Sequence, residues 1–73
     1  MKTPAKETIN RLRSEFPVGC RVELLQMDDV QAPPIGTKGT VVGVDDAGTI
    51  HVDWETGCGL GIAYGADRCR RIE

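Results

Sequence analysis

A chain of seventy-three residues is enough for one small domain, and a domain of this size hides only about 60% of its unfolded surface when it folds. A deep, enclosed active site is therefore not expected. With 27% charged and 40% hydrophobic residues, the composition is that of an ordinary globular protein and excludes a disordered chain. The net charge of −2 argues against a protein whose whole surface binds nucleic acid.

The charges are distributed unevenly along the chain. Residues 45–55 contain four acidic side chains and no lysine or arginine, whereas Arg68, Arg70 and Arg71 cluster near the C-terminus. A surface of two signs is typical of proteins that bind specific partners or associate with themselves.

The cysteines indicate the compartment. There are three of them, an odd number, and no Cys-x-x-Cys pair occurs, which favours reduced thiols and a cytoplasmic location. No apolar run approaches the roughly 18 residues of a membrane span, and residues 1–13 lack the apolar segment of a secretory signal. We therefore expect neither export nor membrane anchoring.

The first predicted element is a helix over residues 3–16. Thr3 and Pro4 are typical of a helix cap and first turn, and Pro17 ends the helix because it forces the preceding residue out of the α region. One apolar stripe follows from the spacing of Ala5, Ile9, Leu12 and Phe16. A helix this short needs a surface to pack against.

Apolar alternation with a period of two then predicts five strands, at residues 20–25, 39–44, 49–54, 58–64 and 68–72. The proline-containing loop at 28–36 separates the first two, and a tight turn at 45–48 makes the next pair a hairpin. Short strands with short turns favour a small SH3-like, or Sm-like, barrel over residues 18–73 of a single domain. The predicted core is Val22, Leu24, Val41, Val44, Ile50, Val52 and Trp54.

Several sequence segments carry a family resemblance: Phe-Pro-Val-Gly at 16–19, the proline pair and Gly-Thr-Lys-Gly-Thr-Val run within 32–41, Asp-Asp-Ala-Gly at 45–48, and Ile-His-Val-Asp-Trp at 50–54. In these the chain resembles the domain of unknown function 4314, small proteins carried by bacteriophages and integrative elements. The resemblance implies an SH3-like barrel acting in a bacterial host, in a family without an assigned activity. The chain departs from the family pattern at the glycine-rich 58–61.

Catalytic and metal-binding motifs are not evident. Gly36, Thr37 and Lys38 lack the spacing of a phosphate loop and are followed by a strand. Zinc ligands could come from Cys20, His51, Cys58 and Cys69, but the close pairing typical of structural zinc sites is missing. His51 alternates away from the apolar positions and is expected to be exposed beside Asp53. We therefore expect no enzyme activity, no cofactor and no metal.

The most informative surface candidates surround the proline-containing loop. In SH3-like barrels this loop borders the usual ligand groove, and the arginine cluster could pair with an anion. We predict a binding module for a host protein or a small anionic ligand. Its predicted binding residues are Asp28, Asp29, Pro33, Pro34, Thr37, Lys38, Tyr64, Asp67, Arg68 and Arg70.

Two alternatives remain open at this stage. One is a homo-oligomeric trap that sequesters a nucleotide signal of host anti-phage defence, with the glycine-rich 59–65 close to the ligand and Arg68 or Arg70 on its phosphate. The other is nucleic-acid binding through residues 36–41, which are similar to the KOW element of ribosomal and transcription proteins. That alternative predicts an affinity that falls steeply with salt.

Overall fold

The computed structural model describes residues 5–73 as one helix followed by four antiparallel strands. The elements are α1 (Lys6–Glu15), β1 (Arg21–Gln26), β2 (Lys38–Val44), β3 (Ile50–Trp54) and β4 (Arg68–Arg71). The predicted class, mainly β with one short helix, is confirmed. The predicted helix cap at Thr3 and Pro4 lies outside the described residues.

The four strands form one sheet in the order β3-β2-β1-β4, so that β3 and β4 are its edges. Val22 of β1 lies opposite Gly39 of β2, which in turn lies opposite Trp54 of β3. Two bulges interrupt the ladders, one between Leu24 and Gln26 and one between Val41 and Gly43. Bulges bend a strand and increase its local twist.

The segment predicted as the fourth of five strands is not a strand. Residues 58–64 contribute only a single bridge, in which Ile62 exchanges two backbone hydrogen bonds with Ile50. The rest is attached through Trp54, whose backbone N–H donates to the Cys58 carbonyl and whose indole N–H donates to the Leu60 carbonyl at 2.7 Å. Glycines weaken a strand interior. Here the hydrogen bond from the Trp54 indole takes the place of backbone bonds that a continuous strand would form.

The core lies on one face of the sheet. Its buried members are Ile9, Leu12, Cys20, Val22, Leu24, Val41, Ile50, Val52, Trp54 and Ile62. Every predicted core residue is among them except Val44, which is half-buried. Val44 lies opposite the buried Ile50 and packs against the core, but it is the last residue of β2, beside the hairpin turn, where fewer side chains surround it.

Helix α1 packs against β2 through its apolar stripe. Ile9 and Leu12 are buried and Phe16 is half-buried, whereas Ala5 is exposed because it only caps the start of the helix. The Arg13 guanidinium donates to the Val44 carbonyl at 3.2 and 3.1 Å and to the Asp46 carboxylate at 2.9 Å. The helix is thereby attached to the β2–β3 hairpin.

With ten residues, α1 is too short to cross a bilayer, and no other helix occurs in the part of the chain that the structure describes.

Candidate functional site

An open pocket of about 400 Å³ lies between the helix and the turn that leads into β4. Its volume falls in the range of small-molecule sites in proteins. We call it the helix pocket, and it is lined by Leu12, Phe16, Gly48, Ile50, Ile62, Tyr64, Gly65, Asp67, Arg68 and Cys69. The lining combines apolar walls with one acidic and one basic side chain.

The turn at residues 63–67 shapes one side of the helix pocket. The Asp67 carboxylate accepts the Ala63 N–H at 2.9 Å, and the Asp67 N–H donates to the Ala63 carbonyl at 2.9 Å. Gly65 adopts a φ of +83°, a conformation in which a side chain would be strained. This turn places the half-exposed Tyr64 ring at the pocket. Asp67 therefore acts by folding the turn.

Arg68 differs from the other arginines of residues 5–73. Arg71 donates to the backbone carbonyls of Glu15 and Glu73. Each of the remaining arginines forms an ion pair with an acidic side chain: Arg11–Glu15, Arg13–Asp46, Arg21–Glu55 and Arg70–Glu23. Within the same residues the Arg68 guanidinium forms neither an ion pair nor a hydrogen bond, so its donors are available to a ligand.

The thiol in the pocket wall is a neutral group. Burial, and to a smaller extent the neighbouring Cys20, raises the pKa of Cys69 to about 11. Burial also raises the pKa of Cys20, the effect of Arg71 being smaller and opposite. A thiol with a raised pKa is protonated at neutral pH and weakly nucleophilic. Cys69 therefore adds to the apolar wall.

The structure divides the predicted binding residues among three places. Tyr64, Asp67 and Arg68 lie together at the helix pocket. Arg70 and Lys38 both lie opposite Glu23 in register, and the Arg70 guanidinium pairs with the Glu23 carboxylate at 2.7 Å. Since directly opposite residues share a face of the sheet, these two belong to the outer face.

The proline-containing loop is the third place, and its residues do not line the helix pocket. Asp28, Asp29 and Pro34 are exposed, while Pro33 is buried and anchors the loop. The Thr37 hydroxyl donates to the Pro34 carbonyl at 2.6 Å. The helix pocket therefore gathers three of the ten predicted binding residues, and the loop residues lie outside its lining.

Sequence reasoning missed most of the pocket lining. The sequence predicts Leu12 and Phe16 only for the helix stripe, and Ile62 and Gly65 come near a ligand only in the nucleotide-trap alternative. These residues meet only through the fold. No local spacing signals such a site, since its residues come from positions 12 to 69. The apolar end of the helix stripe at Phe16, only half-buried, is the one available hint.

Metal ligands do not gather in the fold. Within residues 5–73, His, Cys, Asp and Glu side chains form no group of three or more that could hold a metal ion. Gly36 has a φ of +93° in the turn before β2, which agrees with the interpretation of residues 36–38 as a turn.

His51 pairs with Asp45 rather than with Asp53. Its Nε2 lies 2.9 Å from the Asp45 carboxylate, which also accepts the N–H groups of Ala47 and Thr49. The His51 hydrogen bond, with the backbone bonds adding to it, lowers the pKa of Asp45. Asp45 thus orders the hairpin turn that ends at Gly48 on the pocket wall, as the sequence predicted for a turn-forming aspartate.

The lowered pKa of Asp45 predicts a pH-dependent stability. The stabilisation is fully present above the ordinary carboxyl pKa of 3.8 and is lost as the pH falls through the lowered native value. We expect Asp45→Asn to melt at a lower temperature than the natural protein at pH 7, with the difference shrinking below about pH 4. Thermal melts followed by circular dichroism between pH 7 and 2 measure this difference in melting temperature.

The control is Asp53→Asn, which replaces an exposed carboxylate of the same hairpin and should show no such convergence. Equal curves for both variants would contradict the prediction.

The fold and the site define a class: a small antiparallel sheet with one packed helix and an open, largely apolar pocket beside that helix, at which one arginine has no partner among residues 5–73. The chain belongs to the family of the domain of unknown function DUF4314, whose model matches residues 5–72. The family resemblance of the sequence is thereby confirmed over nearly the whole chain. No curated protein and no solved structure matches it.

Proposed function

We propose that this protein is a non-enzymatic binding module whose helix pocket takes a small ligand with an apolar body and one anionic group. The observation that carries the proposal is Arg68, the arginine at the pocket without a partner among residues 5–73. A guanidinium beside an apolar wall forms strong charge-assisted hydrogen bonds with a carboxylate or a phosphate.

The walls favour an apolar or aromatic body for the ligand. Leu12 and Ile62 are buried side chains, Phe16 is half-buried, and the neutral Cys69 thiol completes that side. Tyr64 is 50% exposed and offers a ring face on which a planar group can stack. A small aryl carboxylate meets these requirements with less polar surface to desolvate than a nucleotide has.

The histidine and the thiol nearest to the helix pocket are not free to act as base or nucleophile, which supports binding rather than catalysis. His51 is bonded to the turn-forming Asp45 on the exposed side of the hairpin, and the raised pKa keeps Cys69 protonated. The outer face carries Arg21 and Arg70 in ion pairs with Glu55 and Glu23. Among the described residues this leaves Lys38 as the one cation of the KOW-like turn, and a single lysine gives little support to nucleic-acid binding there.

We also propose that the sheet curls toward an SH3-like barrel. Ile62 is bridged to β3 at one sheet edge, and β4 at the other edge begins at Arg68. The connection is compact, because its turn folds back between Ala63 and Asp67. In a flat sheet of four strands the edges would lie about 14 Å apart. Strong curvature of the sheet brings its two edges together and best accounts for so short a connection.

The test uses benzoate as the probe and amide NMR spectra of the full chain. We expect benzoate to shift the signals of residues 62–69 and of Phe16, and the uncharged benzyl alcohol to shift them less. Arg68→Gln should weaken benzoate binding about tenfold, as the loss of one charge-assisted hydrogen bond implies. Arg70→Gln is the matched control, because that arginine lies on the same strand but pairs with Glu23.

The result decides among the classes of ligand. Benzoate binding that survives Arg68→Gln as well as it survives Arg70→Gln would overturn the proposed site. Adenosine monophosphate, tested in the same way, represents the nucleotide alternative, and tighter binding of it than of benzoate would favour a nucleotide trap. Shifts at the proline-containing loop alone would move the ligand site there and contradict the proposal.

A further inference from the structure

Val30 is the most exposed of the large hydrophobic residues in the part of the chain that the structure describes. Its relative exposure is 101%, and it occupies the tip of a turn in which the Ala32 N–H donates to the Asp29 carbonyl at 3.0 Å. The Asp29 carboxylate accepts the Gln31 N–H at 2.7 Å, which orders the same turn. We call residues 28–32 the valine turn. It presents an apolar knob on an ordered backbone.

The valine turn and the helix pocket are complementary in shape and charge. The turn offers Val30 beside the exposed carboxylates of Asp28 and Asp29. The pocket offers apolar walls and the Arg68 guanidinium, which has no partner among residues 5–73, while its acidic residue, Asp67, is hydrogen-bonded to the Ala63 N–H. A pocket of about 400 Å³ has room for one branched aliphatic side chain. An apolar knob with acidic neighbours is therefore a fitting occupant of this pocket.

We infer that the valine turn of one copy inserts Val30 into the helix pocket of a second copy, with Asp28 facing Arg68. The two surfaces belong to different parts of the molecule, so the contact is head to tail. In such a pair one copy keeps a free pocket and the other keeps a free valine turn, so further copies can add. The contact is small, and small contacts of this type form weak, concentration-dependent assemblies.

Sedimentation equilibrium of the full chain over a concentration series tests this association. We expect the average mass to rise with concentration above that of the 7.9 kDa monomer. Val30→Lys should lower the association constant by at least about tenfold, because it removes the apolar knob and places a cation near Arg68.

The control is Val18→Lys. Val18 is 74% exposed and holds the same position in its own turn, where the Cys20 N–H donates to the Pro17 carbonyl at 3.0 Å. It lies outside the valine turn and the helix pocket, so its substitution should leave association unchanged. A natural protein that stays monomeric up to about 1 mM, or equal losses in both valine variants, would overturn the inference.

Mixing two variants tests the head-to-tail arrangement. Val30→Ser introduces no charge and retains a working pocket, and Arg68→Glu retains a working valine turn, so each should be monomeric alone. Together they should form a one-to-one heterodimer that does not grow, because only one productive contact remains. A mixture that stays monomeric while the natural protein associates would exclude this pairing.

This inference uses the pocket of the proposed function but does not rest on its ligand. Because benzoate and the Val30 side chain of a neighbour compete for the pocket, Val30→Lys should bind benzoate at least as tightly as the natural protein does, whereas Arg68→Glu should lose both properties. If the natural protein associates through Val30 but fails to bind benzoate, the proposed function is wrong and the self-association stands. If benzoate binds and no association is seen, the self-association is wrong and the proposed function stands.

Discussion

Replacing Gly39 with alanine should destabilise the folded protein by about 3 kcal/mol, near the upper end of the range for overpacked positions. A Cβ at this position would lie 2.6 Å from the Val52 Cγ1 atom and 2.9 Å from both the Asp53 carbonyl oxygen and the Trp54 Cε3 atom. The contacts come from a neighbouring strand and a fully buried ring, neither of which can move aside. Strands β2 and β3 would have to separate.

Thermal and urea unfolding followed by circular dichroism measure the effect, which corresponds to a melting temperature lower by more than about 10 °C. Gly43→Ala is the matched control, because Gly43 lies on the same strand and a Cβ there meets no atom within 4 Å. It should change the free energy of unfolding by less than about 0.5 kcal/mol. Similar losses in both variants would show that close packing at Gly39 is not the cause.

Trp54→Ala should cost about 4 kcal/mol, the other large effect that we expect. Trp54 is 2% exposed and among the largest fully buried side chains of the core. A domain of this length has a total stability of roughly 5–10 kcal/mol, so the variant should be partly unfolded at room temperature. Circular dichroism and the dispersion of amide NMR signals measure the unfolded fraction.

Trp54→Phe separates packing from hydrogen bonding. Phenylalanine fills most of the space but leaves the Leu60 carbonyl without its indole donor. We expect a loss of about 2 kcal/mol and faster amide exchange in residues 58–62. Tyr64→Phe, which removes a hydroxyl from an aromatic ring that is 50% exposed, should leave both quantities unchanged. Unaltered exchange in Trp54→Phe would mean that the indole bond does not hold the segment.

Much of the fold could be predicted from local patterns. Alternation around Val22 and Leu24 and around Ile50, Val52 and Trp54 identifies strands with one buried face, and Pro17 marks the end of the helix. These signals are local, since each depends on a period of two residues or on the backbone limits of proline. The structure confirms them within a few residues.

The segment at 58–64 could not be predicted in the same way. Its alternation resembles that of a strand, but its attachment depends on where the Trp54 indole points and on the close approach of Gly61 to Ile50. A Cβ at Gly61 would lie 3.2 Å from the Ile50 carbonyl oxygen, a contact that appears only once the chain is folded. Tertiary contacts override local preference at such places.

The candidate site shows the same limit. The sequence identifies Tyr64, Asp67 and Arg68 as available polar and aromatic groups, but it groups them with Lys38 and Arg70. Only the strand register places Arg70 opposite Glu23 and so removes it from the list of free cations. Which arginine is unpaired is a property of the whole sheet rather than of any spacing.

The contact of Arg13 with the Val44 carbonyl bridges 31 positions of the chain and has a thermodynamic consequence. The helix side of the pocket is in place only while α1 is docked on the hairpin, so undocking and ligand release are linked equilibria. A ligand that occupies the pocket therefore stabilises the docked helix by mass action, in proportion to the logarithm of its concentration.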